Sequence, residues 1–200
     1  MGTHIRLALQ GLNRFGLVNV VLAFILLGLA LPQAALAQAA PTTWTVCKPV
    51  FGVCDFTSPE AAVSDPDILD GDTIDIVTDT YVLGSTLQVN KSITILANNS
   101  VFDANGRRAI DVIVPPDEST NFSLTNVTIR NGLADASGGG ALRVSDGATV
   151  TVINGVFESN QADFGGAIHN NGSTVTLRES VLTGNRATTG DGGAVFTDNG

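Results

Sequence analysis

GGAIHNNGSTVTLRESVLTGNRATTGDGGAV, residues 165–195, ends on nearly the same four letters with which it begins. The glycine pair and the alanine with its branched or aliphatic partner recur: GGALRV starts at Gly139, GGAIHN at Gly165 and GGAVFT at Gly192, at spacings of 26 and 27 residues. After the first two comes a short turn and then an alternating strand, Thr149-Val150-Thr151-Val152 in one unit and Thr174-Val175-Thr176-Leu177 in the next. A third apolar stretch closes each unit on asparagine, VFESN at Asn160 and VLTGN at Asn185. Self-similarity of this period is the mark of a solenoid, because one unit of three short strands has no partner for its apolar face until the next unit stacks on it.

The expected fold is therefore all-β, a parallel β-helix in which each rung lies about 4.8 Å above the last, the spacing of hydrogen-bonded strands. Leu142, Ile168 and Val195 should point inward, and Arg143, His169 and Phe196 outward. Val150 and Val152 should stack on Val175 and Leu177, whereas the pairs Val156-Phe157 and Val181-Leu182 leave their faces unassigned. The glycines at 139, 140, 165, 166, 192 and 193 mark a bend that demands a left-handed backbone or a close neighbouring chain. FSLTNVTIRN, ending at Asn131, fits the second half of the unit with one residue deleted, so Asn131, Asn160 and Asn185 are expected to form a structural ladder of amides at another bend.

Working outward, DTIDIVTDTYVLGSTLQVNKSITILANNSVFDANG contains the pairs Ile74/Ile76, Leu87/Val89 and Ile93/Ile95, again short alternating strands between turns. Thr57-Ser58-Pro59-Glu60 reads as a capping box with proline just inside it, predicting a helix of about two turns that covers the open end of the core. CKPVFGVC holds the only two cysteines, Cys47 and Cys54, which read as one local disulfide in an exported chain.

Residues 1–37 read as a signal peptide: Arg6 and Arg14, an apolar run from Phe15 to Leu31, and a small-residue cleavage site at Ala35-Leu36-Ala37. The remainder divides into an amino-terminal cap segment, 38–71, and rungs from 72 to 200. Gly200 falls at a turn where the next strand is due, so the rungs are expected to continue, and any membrane attachment would come from a carboxyl-terminal region beyond it. Removing the signal takes away two of ten basic residues and none of the nineteen acidic ones, moving the net charge from −9 to −11 and arguing against nucleic acid as a partner.

CDFTSPEAAVSDPDILDGDTIDIVTDTYVLGSTLQVNKSITI resembles the opening rungs of the pectin-lyase-like right-handed β-helix superfamily, in which a short helix precedes a GDTI-like strand and a GTY-like turn. Here those are Gly71-Asp72-Thr73-Ile74 and Asp79-Thr80-Tyr81, with Asp in place of the usual Gly before Thr80. The units from Gly139 resemble the repeats of polymorphic outer-membrane proteins, GGA followed by Ile, Leu or Val, and Phe-x-x-Asn. The first motif occurs three times, the second strictly once, at Phe157–Asn160, with Leu182 replacing Phe in the next unit. The resemblance spans about residues 44–200 and supplies the right-handed sense. It implies an adhesin-like or structural passenger, secreted or at the cell surface, with an extracellular protein or polysaccharide as partner. The alternative is a pectin lyase- or hydrolase-like enzyme whose catalytic rungs lie beyond residue 200.

No catalytic constellation is legible. A lyase needs a strong base beside acidic calcium ligands and a hydrolase needs paired carboxylates, but lysine occurs only at 48 and 91, and His169 shares its position with Arg143 and Phe196, which reads as a solvated face. No cofactor is implied beyond a calcium hypothesis: Asp135, Asp163 and Asp191 precede their glycine pairs by four, two and one residues, and carboxylates stacked on successive rungs would need a bridging cation. The outward threonines 149, 151, 174 and 176 form a two-by-two array like those of flat ice-binding faces, but two rungs are too few and threonine suits any strand surface.

Overall fold

In the computed structural model, residues 40–48 and 52–198 are described; the expected signal peptide lies outside them. Fifteen strands and one short helix follow in the order β1 (Thr43–Val46), α1 (Pro59–Ser64), β2 (Thr73–Ile76), β3 (Thr80–Val82), β4 (Leu87–Val89), β5 (Thr94–Asp103), β6 (Ile110–Val112), β7 (Asn121–Arg130), β8 (Leu142–Val144), β9 (Thr149–Glu158), β10 (Gln161–Ala162), β11 (Ile168–Asn171), β12 (Thr174–Arg178), β13 (Val181–Thr183), β14 (Arg186–Ala187) and β15 (Val195–Asp198). Every strand pairing is parallel. One sheet runs β1-β2-β5-β7-β9-β12, with β3 and β13 joined to β5 and β9; a second runs β15-β11-β8-β6-β4; β10 and β14 form a small third. Six successive strands in the first sheet mean six turns of a parallel β-solenoid, the architecture that the 26- and 27-residue repeat requires.

The core is one column of aliphatic side chains per inward position. Ile74, Ile95, Leu124, Val152 and Leu177 follow one another up the first sheet, and Leu87, Ile110, Leu142, Ile168 and Val195 up the second. Leu142 and Ile168 are fully buried, as expected, whereas Val195 keeps the inward register yet is 41% exposed, because no described rung lies above it. The unassigned pairs resolve the same way: Phe157 and Leu182 point inward, Val156 and Val181 outward.

The long strands β5, β7 and β9 fold around asparagines in the left-handed region, Asn98 and Asn99, Asn126 and Asn154, with Glu179 in that place between β12 and β13. A short amide tolerates this backbone better than most side chains. Asn154 donates to Asn126 (3.0 Å) and Asn98 to the Ile76 carbonyl (3.0 Å), so this bend carries its own amide contacts.

The expected ladder is corrected at one position. β7 and β9 pair without any deletion, Asn121 with Thr149 and Arg130 with Glu158, so Asn131 falls opposite Ser159 and Gly132 opposite Asn160. Asn131 takes the left-handed backbone (φ 55°), as Ser159 (φ 54°) does, and donates to Asp103 (3.0 Å). The true ladder is Asn160 and Asn185: the Asn160 side chain donates to Asn185 Oδ1 (3.0 Å) and to Ile129 O (3.0 Å) and accepts from Gly132 N (2.8 Å).

Two of the three glycine pairs satisfy both expected reasons, one each; at the third, a Cβ on Gly193 would meet nothing nearer than Asn185 O at 4.0 Å. Gly139, Gly165 and Gly192 have positive φ (65°, 51° and 71°). Gly140 and Gly166 face the backbone of the next rung, where a Cβ would lie 2.5 Å from Gln161 O and 2.4 Å from Gly193 O respectively.

At the amino-terminal end, Cys47 and Cys54 form the disulfide, with Cα atoms 5.9 Å apart. Helix α1 buries Pro59, Ala62 and Val63. Its cap is Ser58, whose Oγ accepts from Ala61 N (3.2 Å), rather than Thr57. Glu60 does not close the capping box; it accepts from Gly84 N (2.7 Å) and ties the helix to the turn between β3 and β4. Asp72, in the GDTI stretch, is buried and accepts from Thr42 N (2.7 Å), Trp44 Nε1 (2.9 Å) and Leu69 N (3.0 Å), clasping β1 to β2.

Candidate functional site

Two features coincide along the edge between β13–β14 and β15. One is a groove of about 580 Å³ that crosses five rungs, from Thr86 through Arg107 and Arg108, then Asp135, then Asp163, to Thr188. The other is the outward column of the second sheet beside it, Gln88, Asp111, Arg143, His169 and Phe196 in successive register.

The column is not the solvated face expected from its varied residue types. Asp111 is 4% exposed and His169 8%. The chain from Asp135 to Gly138, two residues longer ahead of its glycines than the unit of Asp163, folds over it as a strap. Arg143 grips Asp111 with two hydrogen bonds of 2.8 Å, Nε to Oδ1 and Nη2 to Oδ2. Arg108 approaches the same carboxylate (Nη1 to Oδ2, 3.4 Å) and holds the strap by donating to Gly139 O (3.1 Å), Gly138 O (2.8 Å) and the Ser137 hydroxyl. Burial lowers the Arg108 pKa from its ordinary value, opposed by the Asp111 carboxylate and reinforced by the Arg143 charge. From the rung above, His169 Nδ1 lies 2.8 Å from Ser137 O and Nε2 lies 3.2 Å from Asp198 Oδ1. Both partners are acceptors, so only a doubly protonated ring donates to both. Phe164 and the His169 ring each stack at 5.4 Å on Phe196. A bidentate, part-buried Arg–carboxylate pair is a positioning element, and here it anchors Arg108, which lines the groove.

The groove brings together two of the three aspartates singled out in the sequence. Leu133 bridges Gln161 in parallel, which sets Asp135 at the same step as Asp163 two residues later. β10 and β14 then place Thr188, not Asp191, next in that column. Asp163 accepts from the Thr188 hydroxyl (2.8 Å), and Asp135 from Ser137 (3.4 Å). Counting back from the glycines had hidden this alignment, because the strap inserts its extra residues between Asp135 and Gly139. Among the described residues, no three His, Cys, Asp or Glu side chains converge as a cation site would require.

Sequence reasoning missed the Arg108–Asp111–Arg143 network. Arg143 was visible as the partner of His169 one unit on, but Asp111 and Arg108 lie in a rung without a glycine pair, where no motif marks the register.

No protein-family model matches the chain, no curated protein matches it and no solved structure matches it.

Proposed function

We propose that this chain is an exported right-handed β-helix of the pectin-lyase-like kind, with α1 as its amino-terminal cap and rungs like those of polymorphic outer-membrane proteins, and that it serves at the cell surface as an adhesin-like passenger. The observation that carries the reading is the groove across five rungs: a scaffold whose binding surface runs along its axis suits an extended protein or polysaccharide better than a small molecule. Its walls carry cations at Arg107 and Arg108, carboxylates at Asp135 and Asp163 and hydroxyls at Thr86, Ser137 and Thr188, which favours a polar, mixed-charge partner. The GGA motifs support the repeat assignment, since their alanines fall at the same register in successive turns, Ala141 N donating to Ala167 O (2.9 Å) and Ala167 N to Ala194 O (2.9 Å). The test is protease shaving of intact cells together with binding of the purified chain to arrays of matrix proteins and polysaccharides. Surface exposure and binding that Arg107→Ala and Asp163→Ala weaken are expected; a cytosolic location would overturn the reading.

A second reading, a polysaccharide-cleaving enzyme, is favoured by Asp135 and Asp163, carboxylates one rung apart in the same groove. Release of reducing ends or unsaturated products from a panel of neutral and acidic polysaccharides, abolished by Asp163→Asn, would select it over adhesion.

A further inference from the structure

The outward face of the first sheet carries a feature that neither the groove nor the strap uses. Strand register aligns Thr43, Thr73, Thr94, Ser123, Thr151 and Thr176 in one unbroken column through all six turns. Thr149 and Thr174 continue the array on one side. On the other side the neighbouring column holds Thr45 and Thr125, with Leu96 and Ile153 among them. The two-by-two array visible in the sequence is thus the upper corner of a six-rung face, which removes the objection that two rungs are too few. Its only charges in these columns are Asp75, engaged by the Asn98 amide (2.6 Å), and Arg178 on the last described rung. Among the described residues, no side chain of the central column makes a hydrogen bond, so its hydroxyls are available to something outside the chain.

The geometry limits what that something is. Rungs repeat every ~4.8 Å, giving a column about 24 Å long, and outward residues two apart on a strand are separated by about 6.6 Å. These repeats are of the order of the oxygen repeats of hexagonal ice. Protein interfaces take most of their energy from Trp, Tyr and Arg, and nucleic acid requires several cations; this face offers one arginine, at its end. Threonine is stiff at its first side-chain torsion, so a rank of threonines loses little conformational freedom against a rigid lattice. Each presents a hydroxyl and a methyl group at a fixed spacing, and many weak identical contacts sum along such an array.

We propose that this face is an ice-binding surface, holding crystalline water through the threonine and serine array from Thr43 to Thr176. The inference rests on the exported reading in one respect, that its outward faces meet the medium, but its test uses purified protein and so fails or succeeds independently of cellular location. The full chain is left in dilute buffer while ice grows slowly on a cooled probe, and protein in ice and liquid is then quantified. The wild type is expected to concentrate in the ice, and Ser123→Lys with Thr151→Lys to lower that incorporation at least about tenfold, as blocking the middle of a multivalent contact does. Thr128→Lys, on the outward column beyond the Asn126 bend of β7, should leave it unchanged. Thermal melts of all three establish that the fold persists. Exclusion of the wild type from ice, equal incorporation of the double variant, or retention on crystalline cellulose without retention in ice would each overturn the proposal.

Discussion

Asn160→Ala is the substitution that tests the solenoid register most directly. Its side chain satisfies two buried backbone groups, Gly132 N–H at 2.8 Å and Ile129 C=O at 3.0 Å, and donates to Asn185 Oδ1. Truncation leaves the Gly132 N–H without a partner, while Ile129 C=O keeps its place in the β7–β9 ladder and Asn185 Oδ1 retains the Asn160 backbone N–H at 3.0 Å. At about 1–3 kcal/mol for the orphaned N–H and about 0.5–1.5 kcal/mol for each of the two other hydrogen bonds lost, the expected loss is about 2–6 kcal/mol. For a domain of this size that lowers the melting temperature by roughly 4–24 °C. Asn131→Gly is the matched control: it removes an exposed amide contact to Asp103 at a position whose φ of 55° glycine adopts freely, so the expected change is under about 1 kcal/mol. Denaturant and thermal unfolding followed by circular dichroism measure both. Equal costs for the two variants, as a three-asparagine ladder demands, or a cost under about 1 kcal/mol for Asn160→Ala, would refute the register argued here.

Asp111→Ala should cost about 3–5 kcal/mol, because it leaves the buried Arg108 guanidinium without its carboxylate; adding Arg108→Met should recover part of that loss in the same unfolding assay. Acid should loosen the junction of β1 and β2. Burial acts to raise the Asp72 pKa, but hydrogen bonds from Leu69 N, Thr42 N and Trp44 Nε1, with the Lys91 charge, prevail and hold it below the ordinary value. A carboxyl depressed in the folded state lends stability above its unfolded pKa, about 3.9, that is lost as pH falls through the folded value. Fluorescence of Trp44, the single tryptophan, should therefore report a transition below about pH 4 that Asp72→Asn removes. Calcium and chelator should leave the melting temperature unchanged, since Asp135 and Asp163 supply two carboxylates and Thr188 stands where a third is needed; stabilisation by calcium that Asp163→Asn abolishes would instead assign a cation to the pair.

The sequence by itself determined the solenoid, its period, the inward columns, the disulfide and the bend glycines. These follow from local rules: alternation assigns faces, and a repeat of constant length allows only a stack. It left the functional surfaces undetermined. Register between rungs depends on how many residues each bend absorbs, and that count is fixed by three-dimensional packing. Only the tertiary structure decided that Asn131 sits one step out of the ladder, that the strap buries Asp111 and His169, and that Asp135 stands beside Asp163 while Asp191 does not. The threonine column shows the same division. Thr43, Thr73, Thr94, Ser123, Thr151 and Thr176 are separated by 30, 21, 29, 28 and 25 residues, a spacing too irregular to read along the chain. They fall into line because hydrogen bonding between parallel strands admits one register per rung, and each intervening bend expels its surplus residues to the outside.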